Sequence, residues 1–224
     1  MASQGTDQWF AERAGRITAS RICDVMAFSP SGIYKSGKRK GQAKEVRPLK
    51  ARTDYIHQIA AERITGRAKN QVSASALEWG KECESHAREA YEETRGVLVE
   101  EVSFIVHPRH DFIGASPDFL ARRLKGGGEI KCPKDQEVHL ATLETGLPSE
   151  HIEQIQGGLW VTGYDWWDFV SFHPYFPSGR HIYIQRIERD NSYIAQMEAA
   201  CLSLESEVRT IVNKYLPETQ LCVA

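Results

Sequence analysis

The amino-acid sequence predicts an α/β (α+β) domain in which a central mixed β-sheet is flanked by helices. Three observations predict it. Helix-period segments occupy most of the first hundred residues, short strand signals crowd between residues 97 and 132, and helices, strands and a terminal helix follow. No internal repeat interrupts this order. At 224 residues the chain can bury a sizeable core, and residues 1–224 read as one domain.

The first helix is expected over Asp7–Ala14, and a second over Thr18–Ala27 with Thr18 as its cap. From Ser29 to Arg47, inside a basic stretch of about 29–50, glycine and charge replace apolar residues, which predicts a mobile loop. Arg52–Thr65 is helical, with Tyr55, Ile56, Ile59 and Ala60 on one side and Gly66 as its stop. A longer helix is expected over Ser73–Arg95. Trp79, Cys83, Ala87 and Ala90 form its apolar stripe, and Glu78, Glu82, Glu89 and Glu93 its wet face. Leu77 and Glu84, seven residues apart, share the border between the two faces.

Strand signals lie at Val97–Val106, near Phe112–Ala115, at Asp118–Arg122 and at Glu129–Cys132. Helices return at Gln136–Thr145 and at Ser149–Gly163, the latter introduced by Pro148 and capped by Ser149. Trp166–Phe172 and His181–Ile187 read as strands, and a terminal helix covers about 191–215.

No apolar run approaches the ~20 residues needed to span a bilayer, and the opening Met-Ala-Ser-Gln-Gly-Thr-Asp has no signal-peptide core. The five cysteines (Cys23, Cys83, Cys132, Cys201, Cys222) are scattered and form no Cys-x-x-Cys pair. That argues against a zinc ribbon or a disulfide framework, and a reduced, cytoplasmic protein without a membrane partner is expected. The net charge of −2 is no general sign of a nucleic-acid binder. Its distribution is more informative: Lys35 to Arg52 holds eight Lys/Arg against the single acid Glu45. A basic patch beside an acidic remainder suits a protein that grips a polyanion and holds metal elsewhere; the competing reading is a solvated charged loop.

The most specific chemistry lies between Pro117 and Lys131. Pro117-Asp118 is followed, after ten residues, by Glu129-Ile130-Lys131 in a strand context. On a strand Glu129 and Lys131 share one face while Ile130 points to the other. The stretch Lys125-Gly126-Gly127-Gly128 is expected to make the tight reversal that brings Asp118 toward Glu129. Two carboxylates meeting there suit a hard cation such as Mg²⁺, which lowers the pKa of a bound water and offsets charge on a scissile phosphate. Lys131 would position or deprotonate that water and meet the developing charge. Glu84, at the edge of the apolar face, is a candidate third carboxylate for a second ion. An ordinary surface hairpin and a solvated helix acid are the competing readings.

With these residues in place the chain resembles the phage lambda exonuclease group, the YqaJ-type viral recombinases of the PD-(D/E)xK nuclease superfamily. Four ordered blocks carry the resemblance: Trp9–Ser20 (WFAERAGRITAS), Ala76–Glu84 (ALEWGKECE), Ala115–Pro133 with its Asp and Glu-Ile-Lys-Cys-Pro, and Glu153–Thr162 (EQIQGGLWVT). It implies a restriction-endonuclease-like PD-(D/E)xK core and a 5′→3′ exonuclease on double-stranded DNA ends. Such an enzyme leaves a 3′ single strand for a single-strand annealing protein and works as a ring-shaped homotrimer. Asp118, Glu129 and the carbonyl of Ile130 would hold Mg²⁺, with Glu84 serving a second ion, Lys131 acting on the water and Mn²⁺ a substitute metal. The 5′-phosphate would be read by Arg13, Ser20, Ser116 and Gln154, and Leu77 would wedge between bases at the duplex end.

The residues themselves support parts of this. A Thr18 cap would put Ser20 in the first turn of a helix, where free N–H groups favour an anion. Arg13 suits a bidentate phosphate contact. On a helical wheel Gln156 falls on the buried side, so it is the amide expected to bond neighbouring backbone, which leaves the phosphate to Gln154. The loop after Ala27 departs from the family: Phe28-Ser29-Pro30-Ser31-Gly32 precedes the cluster Lys38, Arg39 and Lys40, any of which could supply the basic DNA contact found there. Two alternatives remain, an endonuclease of the same superfamily and a non-catalytic DNA-end binding protein. An iron–sulfur nuclease is disfavoured, because only Cys132 adjoins the motif.

Overall fold

The computed structural model describes residues 4–69 and 74–216, with backbone alone for 74–78 and 81. Helix α1 (Asp7–Arg13) starts where the Thr6 hydroxyl accepts from the Trp9 N–H at 3.3 Å. Strand β1 (Ile17–Thr18) follows, then a 3₁₀ turn over Ala19–Arg21 and the single turn α2 (Ile22–Val25). The long helix expected from Thr18 is therefore replaced by three short pieces, and Thr18 makes no capping bond. Its β-branched neighbour Ile17 and Thr18 itself are buried, and the Thr18 N–H is taken by the Tyr55 hydroxyl at 3.0 Å.

Residues 28–48 form an exposed segment without a named helix or strand, held by a few backbone pairs. Phe28 bridges Pro48 and Ile33 bridges Ala43, with Lys44 N–H on the Gly32 carbonyl at 2.7 Å. Helices α3 (Lys50–Thr65) and α4 (Ala74–Arg95) come next, α3 ending on Gly66 at φ 66°. Of the expected strand Val97–Val106, only β2 (Ile105–Val106) forms a ladder, with Glu100 bridging Leu120. The intervening apolar residues go to two different places: Val97 and Val99 pack beside α4, whereas Val102 enters the main core.

Then follow β3 (Ile113–Ala115), β4 (Phe119–Ala121) and β5 (Gly126–Lys131). The reversal between β4 and β5 is made by a 3₁₀ turn at Arg122–Leu124 and by Lys125 at φ 50°, not by the glycines. Gly126, Gly127 and Gly128 lie inside β5, because a Cβ on them would sit 2.0 Å from Trp166, 2.5 Å from Trp167 and 2.0 Å from Phe119 respectively. Helix α5 (Gln136–Thr145), a 3₁₀ turn at Ser149–His151 and α6 (Ile152–Thr162) precede β6 (Trp166–Phe172), β7 (Ile182–Glu188) and α7 (Asn191–Tyr215). Ser149 does not cap; the 3₁₀ turn leads into α6 instead. Asp190 caps α7, accepting from the Tyr193 N–H at 2.9 Å.

The fold is α/β with mixed sheets flanked by helices, and the strands divide into two sheets, β1-β3-β2 and β4-β5-β6-β7. Each holds one parallel pair, β1 with β3 and β5 with β6, and the remaining pairs are antiparallel. The division falls at Ser116-Pro117-Asp118, so Asp118 stands at the seam. The four-stranded sheet separates two apolar clusters. Trp167 and Phe169 face the main core with α3, α6 and α7, whereas Phe119, Ile130, Val170 and Phe172 meet Cys83, Ala87 and Tyr91 of α4. Among the described residues, no helix is long and apolar enough to cross a membrane.

Candidate active site

Strand alternation sets the chemistry. With Ile130 turned toward α4, Glu129 and Lys131 face α6. The β4–β5 register pairs Phe119 with Gly128, which leaves Asp118 just beyond the ladder, its N–H on the Gly128 carbonyl at 3.2 Å. The Asp118 Oδ2 accepts from the Ile130 N–H at 2.7 Å. Lys131 Nζ donates to Glu129 Oε1 at 2.7 Å and reaches Gln154 Oε1 at 3.4 Å, while the Gln154 amide also donates to Glu129. Glu84 projects from α4 near enough for its charge to act on Asp118, with Arg88 at 3.4 Å from its carboxyl.

The carboxyl groups perturb one another. Burial raises the Asp118 pKa well above the usual carboxylate range, and the charges of Glu129 and Glu84 raise it further. Burial raises Glu84 as well, against the opposing pull of Arg88. For Lys131, burial pulls the ammonium down, but Glu129 and Asp118 outweigh it and hold the pKa above the ordinary lysine value. Lys131 is therefore a fixed cation among these acids.

A pocket of about 130 Å³ opens beside this junction. It is lined by Asp118 and Glu129 and by Arg13, Ser20, Ser116 and Gln154, together with Trp9 and Thr18. The Arg13 guanidinium carbon lies over the Trp9 ring, 4.1 Å from its centroid. Ser116 Oγ accepts from both Arg13 NH1 and Trp9 Nε1, each at 3.1 Å. Ser20 comes from the three-residue 3₁₀ turn and not from the first turn of a long helix, so no helix dipole favours an anion there; its Oγ is 3.3 Å from Thr18 Oγ1. Gln156, by contrast, is buried and bonds backbone on both sides: its amide donates to the Glu188 carbonyl at 2.9 Å and accepts from the Asp190 N–H at 3.0 Å. The close approach of α6 depends on Gly157 and Gly158, where a Cβ would lie 2.7 Å from Ile22 and 2.8 Å from Trp167.

Trp9 is the pocket residue that sequence reasoning missed. It stands inside one of the family-like blocks, yet nothing local distinguishes a tryptophan that holds an arginine from one that fills a core. Lys38, Arg39 and Lys40 lie on the exposed arm, and the pocket lining takes nothing from that arm. The side chain of Leu77 lies outside the described residues.

Among the described residues, no three His, Cys, Asp or Glu groups stand together as a finished metal-ligand set. Glu129 is turned to Lys131 and Gln154 instead. The donor chemistry nonetheless fits a hard dication: it is all oxygen, and two partly buried carboxyls, Asp118 and Glu84, stand near each other with only Arg88 paired to Glu84.

A mixed-sheet α/β core that brings Asp118, Glu129 and Lys131 to one junction of β4 and β5 defines the PD-(D/E)xK class of folds. The chain belongs to the YqaJ-like viral recombinase domain family, whose model matches residues 31–165. It is similar to LHK-Exo in complex with dAMP, at 35% identity over 93% of this chain and 95% of that one, with a TM-score of 0.77. The alkaline exonuclease LHK-Exo from Laribacter hongkongensis, in a second structure, matches at 33% identity over the same 93% and 95%, again with a TM-score of 0.77. A phage-related exonuclease from Haemophilus somnus 129PT shares the fold at 16% identity, covering 90% of this chain and 96% of its own, with a TM-score of 0.66. Among curated proteins, none matches significantly.

Proposed function

We propose that this protein is a Mg²⁺-dependent 5′→3′ exonuclease that degrades one strand of linear double-stranded DNA from 5′-phosphorylated ends. The 3′ single strand left behind would feed recombination by a single-strand annealing protein, and the enzyme would act as a ring-shaped homotrimer. The observation that carries the reading is a single pocket in which Arg13, Ser20, Ser116 and Gln154 adjoin Asp118 and Glu129. Family membership and the exonuclease relatives, one of them bound to the mononucleotide dAMP, support it.

Arg13 and the Ser116 and Ser20 hydroxyls supply donors for a terminal phosphate, and Gln154 reaches both that pocket and Glu129. A phosphate seated there places the adjoining phosphodiester beside Asp118 and Lys131. Asp118, Glu129 and the Ile130 carbonyl would hold Mg²⁺, with Glu84 for a second ion and Mn²⁺ as a substitute. When bound, the metal supplies a more acidic water and charge neutralisation at phosphorus. Lys131, beside Glu129 and Asp118, would position or deprotonate that water and meet the charge that develops on the phosphate oxygens.

The test is release of mononucleotides from three substrates, with and without Mg²⁺: linear duplexes bearing 5′-phosphate, linear duplexes bearing 5′-hydroxyl, and closed circles. Loss of label from 5′-phosphorylated linear ends alone is expected. Cutting of circles would assign an endonuclease, and binding without release a DNA-end binding protein.

A further inference from the structure

Glu84 and Asp118 come from different layers, and the charge of Glu84 raises the Asp118 pKa, so the two carboxylates repel once both are ionised, as a shared cation requires. Something must hold α4 against the sheet. Directly beside Glu84 the helix offers only small buried residues, Cys83 and Ala87, which allow a close approach but grip weakly. The large side chains stand at either end of this stretch, Trp79 on one side and Tyr91 on the other.

Each of them fastens to the residue that follows a site residue. The Trp79 indole N–H donates at 3.1 Å to the carbonyl of Cys132, the neighbour of Lys131. The Tyr91 ring packs on Phe119, the neighbour of Asp118, with centroids 4.5 Å apart. Its hydroxyl donates to Asp168 Oδ2 at 2.8 Å on β6. Asp168 is fully buried and held in turn by Arg186, with Nε and NH2 at 2.9 and 3.0 Å. None of these side chains lines the phosphate pocket.

We infer that Trp79 and the Tyr91–Asp168 pair are positioning residues, a two-point clamp that fixes the height of Glu84 above Asp118 and so sets the affinity of the site for its cation. The inference rests on the reading of Asp118 and Glu84 as metal ligands. Outer partners that orient ligands commonly govern metal affinity by about ten- to a hundredfold.

Trp79→Phe and Tyr91→Phe remove the N–H and the hydroxyl while leaving rings in place. Calorimetric titration with Mn²⁺, without DNA, reads the result on protein whose circular dichroism and melting cooperativity match the wild type. Each substitution is expected to weaken Mn²⁺ binding about tenfold and to weaken it no further once Glu84→Gln is present, since the clamp acts through Glu84. Two variants guard against one failing to fold. Wild-type Mn²⁺ affinity in both folded variants would overturn the clamp and leave the nuclease reading intact. An equal loss with and without Glu84→Gln would also overturn it, because the effect would then bypass Glu84. Absence of Mn²⁺ binding by the wild-type chain would overturn the metal-site reading and the clamp together.

Discussion

The two halves of the candidate site are built in opposite ways. On the phosphate side, Arg13, Trp9 and Ser116 satisfy one another and Gln154 is tied to Glu129, so donors stand ready at little reorganisation. On the carboxylate side, burial raises the pKa of both Asp118 and Glu84; the charges of Glu129 and Glu84 raise Asp118 further, whereas Arg88 and Asp118 pull Glu84 back down. One half is complete without a ligand; the other is in conflict until a cation arrives. Preorganisation for an anion and frustration for a cation are both ways of storing binding energy, and they should respond differently to mutation and pH.

The largest break in this comparison should come from Lys131→Ala, which removes the only cation bonded to Glu129 among the described residues. Turnover should fall by about 10²–10³-fold or more, while duplex affinity measured in Ca²⁺ changes little. Retained activity would remove Lys131 from the chemistry. Next, Arg13→Ala should erase about tenfold of preference for 5′-phosphate over 5′-hydroxyl ends, the scale of a missing charged hydrogen bond. An unchanged ratio would take Arg13 out of the phosphate site.

The frustrated half makes a prediction of the other sign. A carboxyl whose folded-state pKa is raised binds more protons folded than unfolded between the ordinary value near 4 and the raised one. Stability therefore falls as pH climbs through that window. Asp118→Asn, which can still accept the Ile130 N–H, should raise metal-free stability at pH 8 by about 1 kcal/mol and abolish nuclease activity. Mg²⁺ should stabilise the wild type more at pH 8 than at pH 5. Equal melting shifts at both values would argue against a carboxylate cation site. The smallest effect belongs to the arm: reversing charge at Lys38, Arg39 and Lys40 should lower the salt dependence of duplex binding by about 0.9 in slope for each phosphate that the arm no longer neutralises.

What the residues revealed in advance follows a physical line. Helices α3 and α7 and strand β6 were legible because periodicity and caps are local, and the shared face of Glu129 and Lys131 because strand alternation decides facing; the position of Asp118 depends on the β4–β5 register, which local sequence does not fix. Strand β1 was not legible, since two residues carry no period; its existence depends on pairing with β3, far along the chain. The glycines of β5 misled for a related reason: glycine signals a turn locally, whereas here it makes room for Trp166, Trp167 and Phe119. The role of Trp9 likewise depends on Ser116, 107 residues away.

Those three bare positions under aromatic rings act as a ratchet for the strand that carries Glu129. A slip of a single residue would drive Glu129 beneath the Phe119 ring, turn Ile130 out toward the Gln154 side, and rotate Lys131 toward α4. The rings seat only where no side chain stands, so the outlook of the acid is locked by what its neighbours lack.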